Sequence, residues 1–339
     1  MKLSELEAFP DGALDCPAHE LHEYFDGPTL VHLPGERSPP LFVSVLLHGN
    51  EEGGWEALRL LLGRLGVEAG RRLPRALSIL VGNVEAARFR LRRLDHQPDF
   101  NRIWKDATGP EAEVARAVVA SMARRGCFMT VDAHNNTGVN PHYACITRTD
   151  PVSLALARRF SRTVVHVLRP DTILAAALAP LAPAIILEAG RPGEQLGVDH
   201  VADYLEGLLE LEALPTEPEG DIDLFHTVAS VRVREAIQFG FTAPRGARDA
   251  RALHLLTEFE HFNFQELPAG TLFGHVAPDA PFPFDVTDDF DRDVGADYFV
   301  VEGQDLRLAK DVVPAMFTPD ARIIRQDVLC YLMERVATD

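Results

Sequence analysis

Leu41-Phe-Val-Ser-Val-Leu-Leu-His48-Gly-Asn-Glu51-Glu52-Gly-Gly carries an apolar, β-branched run into a histidine and then a carboxylate inside a glycine-rich turn. A strand ending in such a turn can aim an imidazole and a carboxylate at one point, two thirds of a His/His/Glu zinc site. Asp132 and His134 end a second such run, Phe128-Met-Thr-Val-Asp-Ala-His, and Glu188 ends a third, Ala184-Ile-Ile-Leu. Catalytic zinc takes three protein ligands and leaves one position for water. His48, Glu51 and His134 would supply two nitrogens and a carboxylate for one ion per chain. Water acidified by the metal becomes a usable nucleophile near neutral pH, and Glu188 would take its proton and pass it to a leaving amine. A carboxylate beside so apolar a run is costly without a partner or a task.

Arg88-Phe-Arg90-Leu-Arg92-Arg93-Leu-Asp95-His-Gln-Pro-Asp99-Phe-Asn101-Arg102-Ile-Trp concentrates positive charge in an acidic chain. It reads either as a solvated basic loop or as a clamp for a carboxylate, which guanidinium binds in bidentate fashion. At physiological salt the Debye length is about 8 Å, so a contacting arginine outweighs distant surface acids.

The elements that must position these groups alternate between two periodicities. Strands are expected over 41–47, 76–82, 128–133, 163–168 and 184–187, and helices over 55–65, 111–125, 152–161 and 197–212. Such alternation favours an α/β fold, with an open, mixed or largely parallel sheet flanked by helices. In open α/β sheets ligands bind outside the carboxyl ends of strands, where His48, Glu51, His134 and Glu188 all fall. Leu214-Pro-Thr-Glu-Pro-Glu-Gly-Asp reads as a linker and divides the chain into domains 1–213 and 214–339. The second, smaller domain is β-rich, with strands expected over 227–233, 237–241, 271–276, 298–302 and 306–308, and an amphipathic helix at about 325–336 closes it.

With 339 residues, 46% of them apolar, the chain can bury a sizeable core. Cys16, Cys127, Cys145 and Cys330 are scattered without a CxxC pair, which points to a reducing compartment and away from a thiolate-bound metal. The N-terminus lacks an apolar signal region, and the uncharged stretch from Thr172 to Leu187 is too short for a membrane span and holds Pro180 and Pro183. A cytoplasmic protein is expected. The net charge of −18 argues against nucleic acid or an anionic membrane as partner.

His48-Gly-Asn-Glu51, Asp99-Phe-Asn101-Arg102, Asp132-Ala-His134 and Glu188-Ala-Gly190 occur in the order seen in the succinylglutamate desuccinylase/aspartoacylase family, a branch of the zinc carboxypeptidase-like hydrolases. The chain resembles that family over about residues 40–190, and more weakly through the C-terminal domain, where Leu306-Arg-Leu-Ala-Lys-Asp-Val-Val-Pro-Ala-Met-Phe is similar to its closing segment. The resemblance implies a zinc carboxypeptidase-like fold, with His48, Glu51 and His134 as zinc ligands and Glu188 as the catalytic glutamate. It implies that Asn101 and Arg102 hold the substrate carboxylate. Asp99 falls where a carboxylate backs a zinc-bound histidine, fixing its tautomer and orientation. Arg92 and Arg93 compete for the role of polarising the scissile carbonyl, with Arg93 slightly favoured; Arg92 is otherwise a substrate-binding candidate.

Departures from the family pattern bear on substrate. The family's aspartoacylases place an arginine shortly before the catalytic glutamate, whereas Ile173–Leu187 holds no charged side chain. Where they place a substrate-contacting tyrosine near the C-terminus, this chain reads Arg322-Ile-Ile-Arg325. Both argue against N-acetylaspartate. Arg191 reads equally as a substrate contact and as a surface residue. The sequence thus points to a zinc-dependent amidohydrolase that cleaves a small N-acylated amino acid or related carboxylate. A metallocarboxypeptidase acting on a short peptide and a non-catalytic metal- or ligand-binding protein on the same scaffold are the alternatives.

Overall fold

A computed structural model describes residues 2–242 and 249–336. Its contacts divide the chain into two units, 1–136 with 142–223, and 137–141 with 224–339.

In the first unit the elements run β1 (Ser4–Leu6), β2 (Thr29–Leu33), β3 (Gly35–Val45), α1 (Gly53–Arg64), β4 (Leu73–Val81), α2 (Val84–Arg88), α3 (Pro110–Arg125), β5 (Met129–His134), β6 (Tyr143–Ile146), α4 (Pro151–Phe160), β7 (Thr163–His166), α5 (Leu174–Leu178), β8 (Ala184–Glu188) and α6 (Gln195–Glu210). The strands lie in the order β1-β2-β4-β3-β5-β8-β6-β7. The central β4-β3-β5-β8 ladder is parallel, whereas β2 with β4 and β6 with β8 are antiparallel. Side chains alternate along a strand, yet Leu41, Phe42, Val43, Ser44 and Val45 are all buried, as expected of a strand covered on both faces. Phe42 joins Leu30 and Leu80 in a cluster with Val118 and Met122 of α3 and Leu174 and Leu178 of α5. On the opposite face, α1 and α6 lie against each other, and Gly54 of α1 packs on Val45 and Ala133. Local chemistry sets the helix starts: Asp150 caps α4 by accepting from the Ser153 N–H at 3.0 Å, with Pro151 at the first helical position.

The second unit contains β9 (Asp223–Val233), β10 (Phe239–Thr242), β11 (Leu253–Leu256), β12 (Leu272–Val276), β13 (Phe284–Thr287), α7 (Gly295–Tyr298), β14 (Phe299–Glu302), β15 (Asp305–Leu308), β16 (Val313–Ala315), α8 (Ala321–Gln326) and β17 (Cys330–Arg335). β9 pairs antiparallel with β13 and β17, and β17 with β16. A separate sheet runs β10-β11-β12-β15-β14. The unit's core is aromatic: Phe273 lies 5.0 Å from Phe299 and 5.1 Å from Phe317, and Phe317 lies 4.5 Å from Phe259.

Most expected strands and helices appear within a few residues of the positions read from the sequence, and 214–221 lies outside regular structure. The closing helix expected at about 325–336 does not form. The short α8 ends at Gln326, and Cys330–Arg335 is a strand paired with both β9 and β16. A register shift between Leu332 and Met333 turns two successive side chains inward, and both are fully buried. That bulge places apolar residues at spacings that imitate a helical face. The short strands β2, β6, β11, β13 and β16 escape a periodicity argument, as three to five residues define neither period. No helix of the described residues is long and apolar enough to cross a membrane.

Truncating Phe42 to alanine opens a cavity in a core whose neighbours come from several elements. The variant is expected to lose about 3–5 kcal/mol of stability, measured by urea unfolding.

Candidate metal centre

The turn after β3 is shaped by close packing. Leu46 adopts a positive φ of 57°, an uncommon conformation for a non-glycine residue. It is held there by the Gly82 N–H donating to Val45 O at 3.0 Å and the Asn83 N–H donating to Leu46 O at 2.6 Å. Gly49 follows His48 because the backbone of α2 crosses there: a Cβ at Gly49 would lie 2.2 Å from Ala87 N. The Gly49 N–H donates to Arg92 O at 3.1 Å, which brings the arginine-rich loop beside the turn. At the start of α1, a Cβ on Gly53 would come within 2.5 Å of Asn135 Oδ1, the atom that accepts from the Gly53 N–H at 2.8 Å. Asn135 also donates to Gly190 O at 3.1 Å. One buried amide thus ties together the turns that follow β3, β5 and β8.

These constraints bring His48, Glu51 and His134 together, with one ligand atom from each lying within 4.8 Å of the others. His48 Nδ1 is 2.8 Å from Glu51 Oε1, and His134 Nδ1 is 2.6 Å from Glu51 Oε2. Zinc bonds of about 2.0–2.1 Å put tetrahedral ligand atoms about 3.3 Å apart. The cluster therefore needs little opening to accept an ion, and its buried N/N/O donor set suits zinc. Each imidazole is backed on its far side: His48 Nε2 faces Asp99 Oδ1 at 3.1 Å, and His134 Nε2 faces Asp132 Oδ2 at 2.9 Å. Asp132 also accepts a hydrogen bond from Ser44 Oγ, its register partner on β3. Carboxylates in these positions fix tautomer and ring orientation.

Glu188 ends β8 in register with His134 on the parallel neighbour β5, so both side chains leave the sheet at the same level. It is partly buried and accepts from Asn136 Nδ2 at 3.4 Å.

Electrostatics separates the carboxylates. Burial by itself would raise Glu51 and Asp99. The two imidazoles reverse this for Glu51, and His48 with Arg92 does so for Asp99, leaving both well below the usual carboxylate range. Burial would conversely lower the histidines. Glu51 and Asp99 raise His48 despite Arg92, and Asp132 with Glu51 holds His134 well above its usual value. Glu188 goes the other way: burial, reinforced by Glu51 and opposed by His134, pushes it up to about 7. Carboxylates held this far apart are suited to different tasks, one to bind a cation and one to exchange a proton.

The arginine loop differs from the sequence expectation. Arg92, not Arg93, stands at the cluster: its Nε and Nη2 donate to Asp99 Oδ2 at 3.1 and 2.9 Å, and its Nη1 lies 3.8 Å from Glu51 Oε1. Arg93 donates instead to Gln97 O at 2.9 Å, because the Gly49–Arg92 bond fixes which side of the loop faces the turn. Asn101, expected to hold a substrate carboxylate, stands behind His134. It is buried, and its amide is engaged behind His134, with Oδ1 accepting from the Leu174 N–H at 2.9 Å and Nδ2 donating to Asp132 Oδ2 at 3.4 Å. Arg102 is half-buried, donates to Asn101 O at 2.9 Å and contributes to the low Asp99. Sequence reasoning gave no role to Asp132, Ser44, Asn135 or Asn136. Asp132 was within reach, since two residues apart on a strand means the same face as His134.

No family model matches the chain, and no curated protein matches it. Solved structures do. Succinylglutamate desuccinylase from Chromobacterium violaceum is 18% identical, with a TM-score of 0.57 over 89% of this chain and 86% of that one. Succinylglutamate desuccinylase from Vibrio parahaemolyticus gives 14% identity and a TM-score of 0.60 over 91% and 87%. Murine aminoacylase 3 gives 17% and 0.57 over 89% and 97%. The chain is built on the fold that succinylglutamate desuccinylases share with aminoacylase 3.

Proposed function

We propose that the protein is a zinc-dependent hydrolase that cleaves the amide bond of a small N-acylated amino acid or related carboxylate. The observation that carries this reading is the convergence of His48, Glu51 and His134 on one point, with Glu188 in register beside His134. Structures of the same fold are named as succinylglutamate desuccinylases and an aminoacylase, which supports an acylated amino acid as the substrate class. His48 and His134, through Nδ1, and Glu51 would hold one zinc ion. When bound, zinc supplies an electrophile for the carbonyl and lowers the pKa of water. Glu188 accepts the proton of the attacking water and returns it to the departing amine. Arg102 anchors the substrate's carboxylate. Arg92 holds Asp99, and through it His48, in place. The four cysteines form no disulfide, which suits a reducing cytoplasm.

Glu188→Gln keeps the shape of the side chain and removes its basicity. The variant is expected to bind zinc as the wild type does and to lose at least about a hundredfold in kcat, assayed against a panel of N-acyl amino acids with short peptides alongside. Undiminished turnover would remove Glu188 from the chemistry.

Proton transfer needs an ionised Glu188, whose carboxyl is raised to about 7. Activity therefore declines toward acid, and the charge of a bound ion moves that limb below neutrality. A pH profile of kcat/KM rising from acid to a plateau at or below neutral pH fits this assignment; a rate that climbs on acidification contradicts it.

Because neighbouring carboxylates raise both His48 and His134, protons compete with an incoming ion for the two imidazoles as pH falls. Zinc affinity, measured by chelator competition, should weaken by about tenfold or more for each pH unit of acidification below neutrality. Affinity independent of pH would show that these imidazoles are not the ligands.

A further inference from the structure

Asn101 touches both of the carboxylates that stand behind the two histidines. Its backbone N–H donates to Asp99 Oδ1 at 2.7 Å, the oxygen that faces His48 Nε2 at 3.1 Å. Its side chain reaches the other pair. The amide's orientation is settled by the Leu174 N–H, a donor that requires an oxygen opposite it, at 2.9 Å. Nδ2 is thereby turned to Asp132 Oδ2 at 3.4 Å and lies 3.2 Å from His134 Nε2. His134 Nε2 carries the proton that bonds Asp132 at 2.9 Å and has no lone pair in the ring plane for a second donor. Asp132 is therefore the amide's acceptor. One of the amide's two N–H groups and its oxygen are thereby engaged behind His134.

We infer that Asn101 is a positioning residue that couples Asp99–His48 to Asp132–His134, setting the orientation of both imidazoles toward the ion. This rests on the metal centre proposed above. The coupling runs through the backbone N–H on one side and the side-chain N–H on the other, so a side-chain substitution cuts one arm and leaves the other. Asn101→Ala removes the donor to Asp132 and also the acceptor for the Leu174 N–H. Asn101→Asp keeps an oxygen for Leu174 but sets a carboxylate against Asp132.

The test measures zinc binding alone, by chelator competition without substrate, on the intact protein and both variants, together with KM and kcat at saturating zinc. His48→Ala is the control that removes a ligand outright. Zinc affinity is expected to fall about 10–100-fold in Asn101→Ala and Asn101→Asp, the usual cost of losing a partner behind a metal ligand. Should Asn101→Ala fail to fold, as judged by circular dichroism, Asn101→Asp decides, since it keeps the Leu174 bond. Zinc affinity unchanged in both variants while His48→Ala loses it would overturn the proposal, whatever happens to KM. If the wild type and His48→Ala bind zinc equally weakly, it is the metal-centre reading that fails.

Discussion

A single carboxylate shared between two imidazoles organises the first unit: each oxygen of Glu51 faces one Nδ1, at 2.8 Å for His48 and 2.6 Å for His134. Burying charges costs several kcal/mol per ion after relaxation, and only good geometry with further hydrogen bonds offsets it. The arrangement meets that condition by alternation. Three acids, Glu51, Asp99 and Asp132, stand against Arg92 and two imidazoles whose protonation those acids favour. A divalent ion between the two imidazoles would answer the same negative charge that favours their protonation. A site stable with protons is therefore also suited electrostatically to the metal, and pH governs the exchange.

That charge arrangement is only as good as the backbone beneath it. The candidate ligands come from the end of β5 and the turn after β3, neighbours in a parallel ladder, so strand register sets the level from which that turn departs. Register also sets Glu188 beside His134. The close approaches at Gly49 and Gly53 then fix the remaining freedom of the turn. Between them, Glu51 has to reach across from its own strand end to the neighbouring one. Replacing either glycine by a larger residue would act on the metal ligands without touching them.

The strands and the polar groups that follow them were legible in the sequence because each depends on a local signal: an apolar run that gives way to a His, Asp or Glu. What escaped depended on direction or on pairing. Nothing in Arg92-Arg93 tells which guanidinium faces inward; the hydrogen bond from Gly49, distant in sequence, decides it. The family resemblance gave Asn101 a substrate role, and its further bond to the N–H of Leu174, distant in sequence, had no local signal. In the second unit, the bulge at Leu332–Met333 gave a strand the apolar spacing of a helix. Each miss is a long-range contact overriding a local pattern.

The two kinds of residue also divide the site physically. His134 and Glu188 stand on the last residues of central strands, where a shift of one residue would turn every side chain to the wrong side, and His48 and Glu51 lie in the tightly packed turn that follows a third. Arg92, Arg93 and Arg102 belong to the connection between α2 and α3, outside regular strands and helices. That connection can change its side chains without disturbing strand register. Arg92 is the exception, because its bidentate grip on Asp99 makes the loop part of the support for His48. A loop free to vary in its outer residues is thus pinned at one point to the metal centre, and any substitution that moves Arg92 must be felt first in the orientation of that imidazole.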